Sequence, residues 1–86
     1  MAPSSLTIMI VDDHPLMRRG IRQLLALEPR LEVVAEANNG TEALAEARRL
    51  SPDVILLDLN MKGMSGLDTL KALRHEGIAA RILVLT

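Results

Sequence analysis

The 86-residue sequence contains no cysteine. Disulfides, thiolate zinc sites and a cysteine nucleophile are therefore excluded together. Phe, Tyr and Trp are absent too, so the core must be aliphatic and no aromatic platform exists for stacking single-stranded nucleic acid. Neither sign of charge is in excess: ten basic residues face eleven acidic ones, the formal net charge is −1, and no basic run exceeds two residues. That argues against a nucleic-acid surface within this chain. Long apolar runs are missing as well. The run from Leu6 to Val11 stops at two aspartates, far short of the roughly 18–20 apolar residues of a membrane span. The opening Met1-Ala2-Pro3-Ser4-Ser5 lacks the basic side chains of a secretory signal, and a soluble, cytoplasmic protein is expected. What is present, 49% apolar and 24% charged residues, is the composition of one small globular domain. Residues 1–5 are expected to be a disordered tail and 6–86 the domain.

The apolar residues alternate between two kinds of pattern. Thr7 to Val11 and Val54 to Leu57 are short unbroken apolar runs, as expected for strands covered on both faces. Leu31 to Ala37 alternates: Glu32, Val34 and Glu36 are expected on one face and Val33, Ala35 and Ala37 on the other, which suits an edge strand protected by charge. Arg81 to Thr86 reads as a fourth strand. Between them lie three helical patterns. The first begins at Pro15, places Met17, Ile21, Leu24 and Leu25 on one face, and ends at Glu28-Pro29. Gly20 interrupts it, and a close helix–sheet approach is the expected reason. The second follows Asn39, with Glu42 three residues on as in a capping box, and carries Ala43, Leu44, Ala47 and Leu50. The third starts at Ser65, buries Leu67, Leu70 and Leu73, and closes at Gly77. This βαβαβαβ order implies right-handed crossovers and a parallel sheet.

In such a sheet, chemistry gathers beyond the carboxyl ends of the strands. Asp12 and Asp13 follow the first strand and Asp58 follows the third. If those strands are neighbours the three acids converge, and a divalent cation would relieve their repulsion; an all-oxygen set with few carboxylates suits Mg²⁺ or Mn²⁺. Two blander readings stand beside this one: Asp12 and Asp13 as helix caps, and Asp58 as a turn residue. A strand-end carboxylate can also act as a nucleophile toward a phosphoryl group.

Val11-Asp12-Asp13-His14-Pro15 and the run from Leu56 through Asp58-Leu59-Asn60-Met61-Lys62-Gly63-Met64-Ser65 to Gly66 resemble the receiver domain of bacterial two-component response regulators. Within it, they resemble the branch with a LuxR-type helix-turn-helix output domain, its nitrate/nitrite-responsive members above all. The resemblance runs from about Leu6 to Thr86. It implies a doubly wound, flavodoxin/CheY-like sheet of order 2-1-3-4, and a phosphoacceptor signalling domain rather than an enzyme. Asp58 would accept the phosphoryl group from a sensor histidine kinase. Asp12, Asp13 and the backbone carbonyl of Asn60 would hold Mg²⁺ or Mn²⁺, and Thr86 would be the hydroxyl residue that senses the phosphoryl group. Arg18-Arg19 reads first as a solvated face; the sharper reading makes Met17 and Arg18 the kinase contacts.

Two departures from the family pattern stand out. Lys62 replaces the usual proline, which is expected to loosen the loop after Asp58. The family's fourth helix, fifth strand, fifth helix, phosphate-pairing lysine and DNA-binding domain have no counterpart in these 86 residues; Lys62 and Lys71 are the only lysines, and neither holds that position. A C-terminally truncated receiver is therefore expected, self-associating through its fourth strand and binding no DNA itself; a non-signalling fragment is the rival reading. His14 is expected to start the first helix rather than ligate a metal, and His75 to compensate a helix dipole. An aspartyl-phosphate hydrolase would need a second acid where Asn60 stands, and an amide cannot move the proton. A dinucleotide-binding fold would need a G-x-G-x-x-G after a strand, which is absent.

Overall fold

The computed structural model describes residues 5–85. The expected tail, except Ser5, and Thr86 with its switch role lie outside the described residues. Seven elements follow in order: β1 (Leu6–Val11), α1 (Pro15–Leu25), β2 (Leu31–Ala37), α2 (Gly40–Leu50), β3 (Val54–Leu57), α3 (Gly66–His75) and β4 (Arg81–Val84). The strands form one parallel sheet of order β2-β1-β3-β4, the expected doubly wound arrangement, with β2 at one edge. Apart from Thr7, the central strands β1 and β3 are apolar, as suits strands whose inner stretches are covered on both faces.

Strand alternation divides the core. Met9, Val11, Ile55 and Leu57 pack with Ala43, Leu44 and Ala47 of α2 and Leu73 of α3. Ile8, Ile10 and Leu56 face the opposite way, toward Ile21 and Leu25 of α1. Each large aliphatic side chain fully buried in this way contributes roughly 1.5–3 kcal/mol.

The edge strand departs from strict alternation. Ile8 pairs with Val33, but Met9 pairs with Ala35, so Val34 is an extra residue and the register shifts. Val33 consequently joins the α1 side while Ala35 and Ala37 join the α2 side, where an even alternation would have kept all three together. A bulge moves every later side chain to the other face. Glu36 is thereby available to α1, where it pairs with Arg18 at 3.2 Å and also with Arg22.

The helix ends follow local chemistry. In α2 the Asn39 side chain accepts from the Glu42 N–H at 2.9 Å; the Glu42 carboxylate returns one residue earlier than a capping box requires, to the Asn38 N–H. Ser65 caps α3 by accepting from the Asp68 N–H at 3.1 Å. After α3, Gly77 adopts φ +76° and donates to the Arg74 carbonyl, while the Ile78 N–H reaches Leu73, the paired closure that a left-handed glycine permits. Helix α1 ends at Leu25 rather than Glu28, because Leu27 and Glu28 bond three residues back and tighten the chain out of α-geometry.

Three apolar residues are not covered as their periodicity suggests: Met17 is 55% exposed, Leu24 69% and Leu67 50%. Thr69 is buried in place of Leu67, and its hydroxyl donates to the Ser65 carbonyl at 2.9 Å. Nor does Gly20 permit a close approach, since a Cβ there would meet nothing within 4 Å. Gly66 and Gly40 do so instead. A Cβ at Gly66 would lie 2.3 Å from the Asp58 carbonyl oxygen, and one at Gly40 2.3 Å from Thr69 Oγ1.

At the far end of the sheet from the three acids, Asp53 clips β1 to the start of β3. Its Oδ2 accepts from the Thr7 N–H at 2.8 Å and from the Thr7 hydroxyl at 3.0 Å. These bonds, the backbone one first, hold the Asp53 carboxyl below its ordinary value of 3.8. A carboxylate depressed on folding stabilises the fold above its unfolded pKa, and that stabilisation is lost as pH falls through the folded value. Acid titration should therefore show Asp53 ionising below 3.8 in the folded chain. Stability of Asp53→Asn should fall less steeply than wild type below that pH. Carboxyl chemical shifts and urea melts at stepped pH check both.

Candidate phosphoacceptor and metal site

Strands β1 and β3 are hydrogen-bonded neighbours, with Val11 beside Leu57. The residues that follow them are therefore brought together: the Asp58 N–H donates to the Val11 carbonyl at 2.9 Å. Asp12 and Asp58 are both buried, at 3% and 5% exposure. Asp13 stands beside them, half-buried. One ligand atom each from Asp12, Asp13, His14 and Asp58 falls within 4.8 Å of the others.

Neither aspartate caps α1. The cap position belongs to His14, which makes no side-chain capping bond, and Pro15 opens the helix. Asp12 Oδ1 instead accepts from the His14 N–H at 2.8 Å. Asp58 Oδ1 accepts from the Asn60 N–H at 3.0 Å, a local turn that also holds the carboxylate at the strand end. The turn reading of Asp58 is thus met, and the same geometry leaves its carboxylate beside Asp12 and Asp13. Asp13 Oδ2 accepts from the Lys62 N–H at 3.0 Å. Asp13 Oδ1 is screened from solvent and accepts no hydrogen bond from the described residues.

His14 is more intimate with the acids than a mere helix start. Its Nδ1 lies 2.7 Å from Asp12 Oδ1, 2.9 Å from Asp13 Oδ1 and 3.8 Å from Asp58 Oδ2. The hydrogen bond with Asp12, then the charge of Asp13, raises the imidazole above its ordinary pKa of 6.5. When it carries a proton, the ring is a positive counter-charge beside the carboxylates. Three converging carboxylates, one of them with a solvent-screened oxygen that accepts no hydrogen bond from the described residues, have the donor chemistry of a hard divalent cation.

The loop after Asp58 is held at several points around the lysine. Met61 is buried in the α2–α3 side of the core, and Gly63 turns the chain at φ +78°. The Lys62 N–H that reaches Asp13 is a donor that proline would not possess. The signal for this donor in the sequence is the residue's ordinary amide, which any residue but proline supplies. Asn60 is exposed and lines the same groove as Asp12 and Asp58. His75 is exposed at the end of α3.

Of the two expected kinase contacts, Met17 is exposed on α1. Arg18 is largely covered, with 13% of its side chain exposed, and is engaged by Glu36 and by the Asp12 carbonyl. It ties α1 to the β1 end, a role its place in a basic pair does not reveal. Beside α1 an apolar groove of about 840 Å³, flanked by Leu16, Gly20, Leu24 and Leu85, opens next to Asp58.

The response regulator receiver domain family matches residues 8–86. The nitrate/nitrite response regulator protein NarP of Escherichia coli (strain K12) is 70% identical over 79 residues, covering 92% of this chain and 37% of that protein. A nitrate/nitrite response regulator homolog of Haemophilus influenzae is 63% identical, covering 94% of this chain and 39% of its own length. The chain thus spans under two-fifths of these relatives. Among solved structures, the signal receiver domain of a response regulator NarL from Mycobacterium tuberculosis superposes with a TM-score of 0.89 at 38% identity, over 95% of this chain and 66% of that one.

Proposed function

The chain belongs to the response regulator receiver family, and we propose that it works there as a phosphoacceptor, with Asp58 taking a phosphoryl group from a sensor histidine kinase. Supporting this above all is the convergence of buried Asp12 and Asp58 with Asp13 at the ends of β1 and β3. An Asp58 carboxylate oxygen attacks phosphorus, forming an acyl phosphate as the phosphorus–nitrogen bond of the donor phosphohistidine breaks. The departing imidazole nitrogen keeps the bonding electron pair and takes a proton.

Asp12 and Asp13, with the Asn60 backbone carbonyl, would hold Mg²⁺ or Mn²⁺. That ion would neutralise charge on the carboxylates and on the incoming phosphoryl oxygens. The chain's own residues do the rest. The Asn60 N–H orients the acceptor carboxylate, and the parallel pairing of β1 with β3 fixes the separation of the acids. Exposed Met17 on α1 is the contact offered to the kinase, and Arg18 supports it by holding α1 in place. Thr86 would sense the phosphoryl group. The output would be transcriptional control in the cytoplasm, nitrate- or nitrite-responsive as in the named relatives, with DNA bound outside this chain. No helix among the described residues is long and apolar enough to cross a membrane.

The test is phosphotransfer. This segment, fused to the remaining segment of a relative's receiver, should acquire an acid-labile, Mg²⁺-dependent label from a phosphorylated kinase or from acetyl phosphate. No label above background would overturn the reading. The 86-residue chain alone should label about 100–1,000-fold more slowly, because neither Lys62 nor Lys71 holds the position of the phosphate-pairing lysine that the family resemblance implies.

Self-association is part of the same proposal. Strand β4 pairs with β3 on one side, and Leu83 and Val84 on it are 56% and 48% exposed. An open apolar edge templates pairing with another chain. Light scattering at micromolar concentration should give a mass above monomer, and Leu83→Lys should lower it; a wild-type monomer would remove this part.

A further inference from the structure

The bond between Lys62 and Asp13 assigns a role to an atom that the family resemblance passes over. Asp13 has two carboxylate oxygens in different circumstances. Oδ2 accepts from the Lys62 main-chain N–H at 3.0 Å. Oδ1 is shielded from solvent, accepts no hydrogen bond from the described residues and lies 2.9 Å from His14 Nδ1. A carboxylate turns about one terminal torsion with only a broad preference. Fixing one oxygen therefore directs the other.

The donor is itself held on both sides. The preceding residue, Met61, has its side chain in the core; the following one, Gly63, takes a left-handed turn at φ +78°. The loop is anchored again where Gly66 packs against the Asp58 and Leu59 backbone, at a distance no Cβ would tolerate. The Lys62 side chain is exposed and takes part in none of this.

We propose that the Lys62 main-chain N–H is a positioning group: by holding Asp13 Oδ2 it presents Asp13 Oδ1 to the divalent cation. This rests on the metal reading given above. Groups that orient a metal ligand through its other atom commonly change affinity about 10–100-fold when removed, so a measurable effect is expected from one hydrogen bond.

Main chain and side chain can be separated by two substitutions at one position. Lys62→Ala keeps the N–H; Lys62→Pro removes it. The probe is MgCl₂ alone, followed by amide chemical shifts of the 86-residue chain, with Asp13→Ala alongside. Lys62→Pro should weaken Mg²⁺ about tenfold, Lys62→Ala should stay within about twofold of wild type, and the metal-free melting of both should match wild type. Wild-type affinity in Lys62→Pro, with weakened affinity in Asp13→Ala, would overturn the positioning role and leave the metal site standing. Unchanged affinity in Asp13→Ala would overturn the metal reading and this proposal together.

Should Lys62→Pro not fold, hydrogen exchange of the Lys62 amide in the wild-type chain decides. Slowing of at least about tenfold on adding Mg²⁺ supports the proposal, because a cation on Oδ1 orders the carboxylate that accepts from this amide. Exchange indifferent to Mg²⁺ overturns it.

Discussion

Asp58→Asn is expected to reduce phosphoryl labelling to background in the fused receiver, with the fold intact. The substitution keeps shape and retains an oxygen that can accept from the Asn60 N–H, as Asp58 Oδ1 does at 3.0 Å. What it removes is the charge and nucleophilicity of the carboxylate, and with them the acyl phosphate. Two other carboxylates stand close by, so retention of label is an informative outcome. Asp12 Oδ1 is turned toward His14 at 2.7 Å, and Asp13 Oδ2 toward the Lys62 N–H. Neither should substitute for Asp58. Acid-labile label recovered on Asp12 or Asp13 by peptide mapping would move the acceptor to the β1 end. Because Asp58 is buried among acids, removing its charge also lessens their mutual repulsion, and urea melts of Asp58→Asn without Mg²⁺ should be at least as stable as wild type.

Gly66→Ala is expected to be the most damaging single-methyl change in the chain. Its Cβ would sit 2.3 Å from the Asp58 carbonyl oxygen and 2.4 Å from the Leu59 Cα. Both obstacles are backbone, so no rotamer change relieves them. The helix would have to withdraw from the loop that carries the acceptor. A cost of about 3 kcal/mol is expected, the upper part of the usual range for overpacking, and a large fraction of the roughly 5–15 kcal/mol that holds a domain together. Gly20→Ala supplies the contrast. It lies inside α1 with nothing within 4 Å of a Cβ, so alanine should stabilise by about 0.5–1 kcal/mol through helix propensity alone. Urea denaturation of the two variants should move in opposite directions. A Gly66→Ala midpoint equal to wild type would show that α3 does not pack as closely on the Asp58 loop as described.

These two glycines show where sequence reading reached its limit. Both lie in or at the start of helical patterns, and nothing local distinguishes the one in open space from the one against a backbone. The helical pattern points to Gly20 as the close approach, and Gly66 makes it instead. The covered face of α1 is narrower than its apolar stripe for a related reason. The periodicity of Met17, Ile21, Leu24 and Leu25 is a property of the helix. Which of them become covered depends on how far the neighbouring layer extends, and only Ile21 and Leu25 reach the sheet-side cluster. The bulge at Val34 was hidden because alternating sequence is compatible with either face after a one-residue slip.

What the sequence by itself determined is the order of elements, the parallel sheet and the family. Short apolar runs, helical stripes and the capping residues Asn39, Ser65 and Gly77 are local signals, and each acts within a few residues of itself. The acids were legible for the same reason: Asp12, Asp13 and Asp58 directly end apolar runs, and an open parallel sheet has chemistry at one end. Only the tertiary structure decided how these acids are held. The Lys62 amide at Asp13, Arg18 at the Asp12 carbonyl, and His14 Nδ1 among three carboxylates depend on angstrom-scale positions of separate loops. Those positions follow from the packing of α1, α2 and α3 on the sheet, a sum over many distant contacts that no single stretch of sequence contains.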